Sequence, residues 1–458
     1  MANFREDAIG YAHQNHQSNL DMLNEFIAIP SVSTDPERSD DVQRAALWVA
    51  NRLRAIGIEH VQLFPTAGYP VVYGELMKAG PVAKTILVYG HYDVQPAEPL
   101  ELWKSGAFEP EVRGENLYAR GASDMKGQVM ATLAAIEAVN HSGGMPVNLK
   151  FLIEGEEEIG SPSIEEFLAK HKNLLSCDFA INPDTGMLAV DLPTITYALR
   201  GLAYFELRVY GPSHDLHSGL FGGVVHNPAQ VLCDLVAGMH DSQGRVTLPG
   251  FYDKVHPLDQ EEREELSRLP TTEAFYREQT GVPGLWGEAD YSPVERTGAR
   301  PTLEINGLYS GFTGEGSKTV LPAWAMAKIS CRLVPDQNPE EIYQQMQKYL
   351  ENHAPDTVRY ELKKLVDGPA AISDRQSQGV QAVIKAMETV WGKRPLFRRE
   401  GGSVPVVAHF QTFLGIETVN FGFSLPEDNA HGPNEKLHLP TWQRGIDSLV
   451  HFFFNIGE

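Results

Sequence analysis

The feature that most constrains this chain is a series of short apolar runs, each broken off by polar residues. "VVYGEL", "TILVYG", "KFLIEG" and "DFAIN" follow one another before residue 183, each about the length of a strand. Between the second and third lies "GQVMATLAAIEAV", apolar enough for a buried helix. Ahead of them Val42, Ala45, Ala46, Val49 and Leu53 recur at helical spacing, and Gly57 follows as a stop. Strands alternating with helices predict an α/β fold, a mixed sheet covered by helices on both faces. In such sheets ligands gather beyond the C-terminal ends of the strands.

The pattern changes near residue 195. "YFELRVYG" alternates apolar and polar residues as a half-buried strand does. Asn227-Pro228 and Asn338-Pro339 each open a helix, with Asn as the cap and Pro at the first helical position. "AWAMAKISCRLVP" and "VRYELKKL" read as further strands. The order β-α-β-β-α-β predicts an inserted α+β, ferredoxin-like domain, with residues 245–300 as a charged, Pro/Gly-rich surface excursion. The expected division is 1–199 with 370–458 as one domain and 200–369 as the insert.

Bulk properties agree with two folded domains. A chain of 458 residues is long for one core, and 42% hydrophobic with 21% charged residues leaves no case for wholesale disorder. A net charge of -22 argues against nucleic acid or anionic membrane as a partner. The N-terminal residues hold charges and no apolar h-region, so no secretory signal is expected. Cys177, Cys233 and Cys331 are far apart without C-x-x-C spacing, which predicts free thiols and a cytoplasmic location.

Three of the strand runs end in metal-ligand chemistry. "TILVYG" leads into His91-Tyr92-Asp93, "KFLIEG" into Glu156-Glu157-Glu158, and "DFAIN" into Pro183-Asp184. "LYARGASDMKG" adds Asp124 ahead of a helix, and "EDNAHGPNEK" adds His431 among turn residues. Three adjacent acids are in many acidic proteins a solvated loop. Donors at consecutive strand ends point instead to a cation held against them. A mixed carboxylate and imidazole set suits zinc, manganese or cobalt rather than a thiolate site.

"VYGHYDVQP", "LYARGASDMKG", "EGEEEIGS", "HSGLFGG", "REGGSVPV" and "AHGPNEK", in this order, resemble the M20 family of dinuclear metallopeptidases. The likeness is strongest to its dipeptidase branch, which includes carnosinase and cytosolic non-specific dipeptidase. The resemblance implies two divalent ions per subunit, zinc or manganese with cobalt as a further option. It implies that His91 and Asp184 hold one ion, Glu158 and His431 the other, and that Asp124 bridges them. Asp93 would orient an imidazole from behind, Glu157 would be the general base, and Glu156 would face solvent. A cis peptide between Asp124 and Met125 is also implied.

The same resemblance makes the insert a lid and dimerisation domain of a homodimer, whose His217 reaches the partner subunit's active site. The alternative for His217 is a residue that only caps a turn. Arg332, Thr319 and Ser403 sit where the dipeptidase branch binds the substrate's C-terminal carboxylate. A guanidinium fork suits that task, and the alternative for Arg332 is a structural ion pair. The expected activity is hydrolysis of peptide bonds in dipeptides or short peptides. Two rivals stand beside it: an N-acyl amino-acid deacylase of the acetylornithine or succinyl-diaminopimelate type, and a catalytically silent peptide-binding protein.

Overall fold

The computed structural model describes residues 2–402 and 404–458. The chain forms two compact units. The first contains Met1–Tyr197, Ser373–Phe397 and His409–Glu458, and the second Ala198–Ile372 and Arg398–Ala408. The short segment Arg398–Ala408, expected with the outer segments, clusters with the second unit. There Arg399 forms an ion pair with Glu262.

The first unit is built on a large mixed sheet. Its strands run in the order Glu59–Phe64, Val71–Leu76, Asn148–Glu154, Thr85–His91, Phe179–Asn182, Thr418–Asn420 and Thr194–Leu199. Thr85–His91 lies parallel to both Asn148–Glu154 and Phe179–Asn182. All seven residues of Asn148–Glu154 are buried. Successive side chains of a strand point to opposite faces, so the sheet is covered on both sides at its centre.

The quoted apolar helix is Lys126–His141, buried at thirteen positions. The C-terminal helix Leu439–Gly457 packs against it, and the indole N–H of Trp442 donates to Gly127 O at 2.8 Å. Ser39–Ala55 buries Val42, Ala45, Ala46, Val49 and Leu53 along one stripe, and Gly57 ends it at φ +86°.

In the second unit a four-stranded antiparallel sheet has the order Thr302–Ser310, Trp324–Leu333, Gly201–Tyr210 and Arg359–Gly368. The helices Pro228–Ala237 and Pro339–His353 start at caps in which Asn227 accepts from Ala229 N–H and Asn338 from Glu340 N–H. Residues 245–300 are more than a surface excursion. Val246, Leu248 and Phe251 enter the core of this unit, and the buried Glu288 accepts from Arg300 Nε at 3.0 Å and from Arg300 Nη2 at 2.8 Å. Among the described residues no helix is long and apolar enough to cross a membrane.

Candidate metal centre and active site

Parallel strands deliver the site. His91 is the last residue of Thr85–His91, and the turn Glu157–Ile159 follows Asn148–Glu154 after Gly155 and Glu156. Asp184 lies two residues past Phe179–Asn182, and its backbone N–H donates to Asn182 Oδ1 at 3.0 Å. Because the strands point the same way, these side chains share one edge of the sheet.

Two loops complete the set. Asp124 precedes the helix Lys126–His141, and its peptide bond to Met125 is cis. This loop needs glycine twice. Gly121 sits at φ +84°, and a Cβ on Gly127 would lie 2.0 Å from Ala122 O. His431 lies in a tight loop at φ +63°, between Asn429 and Asn434, which are also left-handed. Asparagine and histidine are both among the few side chains that adopt this conformation readily. Asn429 Nδ2 donates to Pro433 O at 2.6 Å and Asn434 Nδ2 to Leu102 O at 2.7 Å, which ties the loop down.

The ligand atoms form two triads, His91–Asp124–Asp184 and Asp124–Glu158–His431, within each of which the atoms lie within 4.8 Å of one another. Asp124 belongs to both. His91 Nε2 lies 3.3 Å from Asp124 Oδ1 and 3.8 Å from Asp184 Oδ2. His431 Nε2 lies 2.9 Å from Asp124 Oδ2 and 3.4 Å from Glu158 Oε2.

Behind the triads, the buried Asp93 carboxylate is 3.3 Å from His91 Nδ1. Its Oδ2 accepts from Ser33 Oγ at 2.6 Å and from Glu158 N–H at 3.1 Å. One carboxylate therefore ties a ligand of the first triad to the backbone of a ligand of the second. Gln95 Nε2 donates to Glu158 Oε2 at 2.7 Å.

The electrostatics are those of a cluster short of positive charge. Burial alone would depress the His91 imidazole, but Asp124, Asp93 and Asp184 hold it well above its usual range. Glu158 is pushed up to about 8, by burial first and then by the charge of Asp124. Glu157 is likewise pushed up to about 8 by burial. There His91 pulls the other way, and Glu158, Asp124 and Asp93 add repulsion. The buried His91 Nε2 and Glu158 Oε1 have no hydrogen-bond partner among the described residues. Orphaned ligand atoms on both triads, with a carboxylate shared between them, fit divalent cation binding.

Seven of the sequence-derived site residues thus meet in the first unit: His91, Asp93, Asp124, Glu157, Glu158, Asp184 and His431. His217, Thr319 and Arg332 lie in the second unit. His217 Nδ1 accepts from Gly219 N–H at 3.0 Å and caps the short helix Ser218–Phe221. Thr319 O accepts from Ser218 N–H, so these two candidates are neighbours. Arg332 lines a cavity of about 420 Å³ with Arg200, Ser330 and Glu304. Ser403 lies outside the described residues.

One expectation is corrected. Glu156 does not face solvent: it is 3% exposed and accepts from Tyr69 N–H at 3.2 Å. It packs so closely on the 66–69 loop that a Cβ on Gly68 would lie 1.7 Å from its Oε1. The sequence alone also gives no sign of Ser33, of Gln95 or of Glu435, whose carboxylate accepts from Asp124 N–H at 3.0 Å. Gln95 and Glu435 stand inside quoted motifs, but a polar residue in a loop carries no local mark of burial.

Residues 87–455 match the model of Peptidase family M20/M25/M40. The chain belongs to this family. It is a metal-dependent hydrolase of the M20 type. It is 32% identical to the Cys-Gly metallodipeptidase DUG1 of Candida albicans, over 96% of this chain and 94% of that protein. It is 31% identical to the human Beta-Ala-His dipeptidase, over 99% and 93%. Among solved structures, the M20 family metallo-carboxypeptidase Sso-CP2 of Sulfolobus solfataricus superposes with a TM-score of 0.84. The identity is 33%, over 96% of this chain and 99% of that one. Human carnosine dipeptidase 1 superposes with a TM-score of 0.78 at 29% identity, over 99% and 98%.

Proposed function

We propose that this M20 chain hydrolyses the peptide bond of dipeptides with two divalent ions, zinc or manganese, and that Glu157 is its general base. The observation that carries the reading is the pair of triads sharing Asp124. His91 and Asp184 would hold one ion, Glu158 and His431 the other, and Asp124 both. A bound pair of divalent ions supplies Lewis acidity toward the scissile carbonyl and makes water a nucleophile near neutral pH.

The remaining work falls to side chains. Glu157 takes the proton of the attacking water and returns it to the leaving amine. Asp93, against His91 Nδ1, keeps the imidazole in the tautomer that leaves Nε2 free for an ion. Arg332, Thr319 and Ser403 hold the substrate's carboxylate in this reading. The inserted domain acts as a lid in a homodimer, and His217 stabilises the oxyanion in the partner subunit's site. The unpaired state of Cys177, Cys233 and Cys331 supports a reducing, cytoplasmic setting.

The likeness to Sso-CP2 favours a second reading, removal of C-terminal residues from longer peptides. One experiment separates these readings. Protein loaded with zinc or with manganese is offered dipeptides such as Cys-Gly and β-Ala-His, tripeptides and longer peptides, and N-acyl amino acids. Turnover of dipeptides above all others, abolished by a chelator, is the expected result. Preference for longer peptides supports the carboxypeptidase reading, and cleavage of N-acyl amino acids alone overturns both.

A further inference from the structure

Glu435 has no ligand role in the scheme above, yet it is bonded to the loop that presents Asp124. It is fully buried. Its Oε1 accepts from the backbone N–H groups of Ser123, at 2.9 Å, and Asp124, at 3.0 Å. Its Oε2 accepts from Gly121 N–H and from Arg120 Nη1, both at 2.8 Å. Its backbone carbonyl accepts from Ala119 N–H at 3.0 Å. A single residue thus anchors the loop from 119 to 124.

The chemistry calls for a carboxylate here. Three backbone N–H groups converge in the interior, and each would be costly if left unpaired. A carboxylate has only acceptors and binds such donors strongly, and the Arg120 guanidinium balances its charge. Glutamine would turn one acceptor into a donor aimed at other donors. Glu435 also lies four residues after His431, so one short segment presents a ligand and fixes the loop of the ligand it meets.

We propose that Glu435 is a positioning residue of the metal centre, which sets the Asp124 carboxylate between the two triads before any ion binds. The proposal rests on the reading of the triads as cation sites and not on which peptide is cleaved.

The test uses the full chain, with zinc alone and manganese alone as probes. Glu435→Gln is expected to bind each ion about 10–100-fold more weakly. Its kcat should fall while KM stays within about twofold, since the substrate's own contacts are untouched. Glu288→Gln, which breaks a comparably buried carboxylate–guanidinium pair in the second unit, is the control and should keep parental metal affinity. Hydrogen exchange of the parental protein supplies a readout that needs no variant. Peptides covering 119–125 should be as protected after chelation as in the loaded protein.

Parental metal affinity in a folded Glu435→Gln protein overturns the proposal. So does rapid exchange of this loop in the chelated parent, since the ions and not Glu435 would then order it. A parental protein that binds neither ion overturns the cation reading itself, and the two failures are thereby told apart.

Discussion

The His431 imidazole meets the Asp124 carboxylate at 2.9 Å although 307 residues separate them along the chain. On the other side of the same carboxylate stands His91, at 3.3 Å. This carboxylate is the member that the two candidate cation triads share. The Asp124 carboxyl is accordingly depressed below its ordinary range. Burial opposes this, and the histidines outweigh it.

Adjacent acids should behave differently when altered. Glu157→Gln should retain both ions and lose about 10²–10⁴-fold in kcat, because proton transfer is removed while coordination stays. Glu158→Ala should lose metal, because Glu158 Oε2 faces His431 in the second triad. Elemental analysis beside steady-state kinetics checks this. Metal loss in the Glu157 variant, with full loading of the Glu158 variant, would reverse the two assignments.

Chelation should lower thermal stability as well as abolish activity. Ions bound only by the folded state add RT ln(1 + [L]/Kd), about 2.7 kcal/mol at a hundredfold excess over Kd. Melting curves recorded with chelator and after adding back zinc or manganese test this. An unchanged melting temperature would argue against occupied triads.

Asp428 should make part of the stability depend on pH. Burial pushes its carboxyl up to about 6, against hydrogen bonds donated by Leu425 N–H and Ser123 Oγ. The folded pKa exceeds the unfolded value of about 3.9, so the native state holds the proton more tightly. Its contribution is greatest at low pH and is lost as pH rises from about 4 to about 6, by about 3 kcal/mol. Asp428→Asn should remove this slope. Urea titrations of parent and variant across the window measure it, and a constant difference between them would contradict the assignment.

If His217 serves the partner subunit, two inactive variants should complement each other. Glu157→Ala and His217→Ala, co-expressed with free subunit exchange, give mixed dimers in half the population, each with one intact site. About a quarter of parental activity should return. A verified mixed dimer that stays inactive would place the action of His217 within its own chain.

What the sequence determined by itself was local or carried by motif. Helix starts at Asn227 and Asn338 were legible because an Asn cap followed by Pro acts within one turn. The strand runs were legible because burial on both faces selects continuous apolar residues. That His91, Asp124, Glu158, Asp184 and His431 are candidate ligands was legible because few residue types bind cations, whereas the parts given to Asp93 and Glu157 came from the motif resemblance alone.

Tertiary structure alone decided the rest. Glu156 and Glu435 are polar residues in loops, and only packing against the 66–69 and 119–124 segments buries them. The anchors Glu288 and Arg300, inside a stretch that reads as surface, bury each other. Arg398–Ala408 joins the second unit, where Arg399 finds Glu262 137 residues away. A charge can be buried when a distant partner compensates its lost hydration, and no local pattern in the chain encodes where that partner will lie.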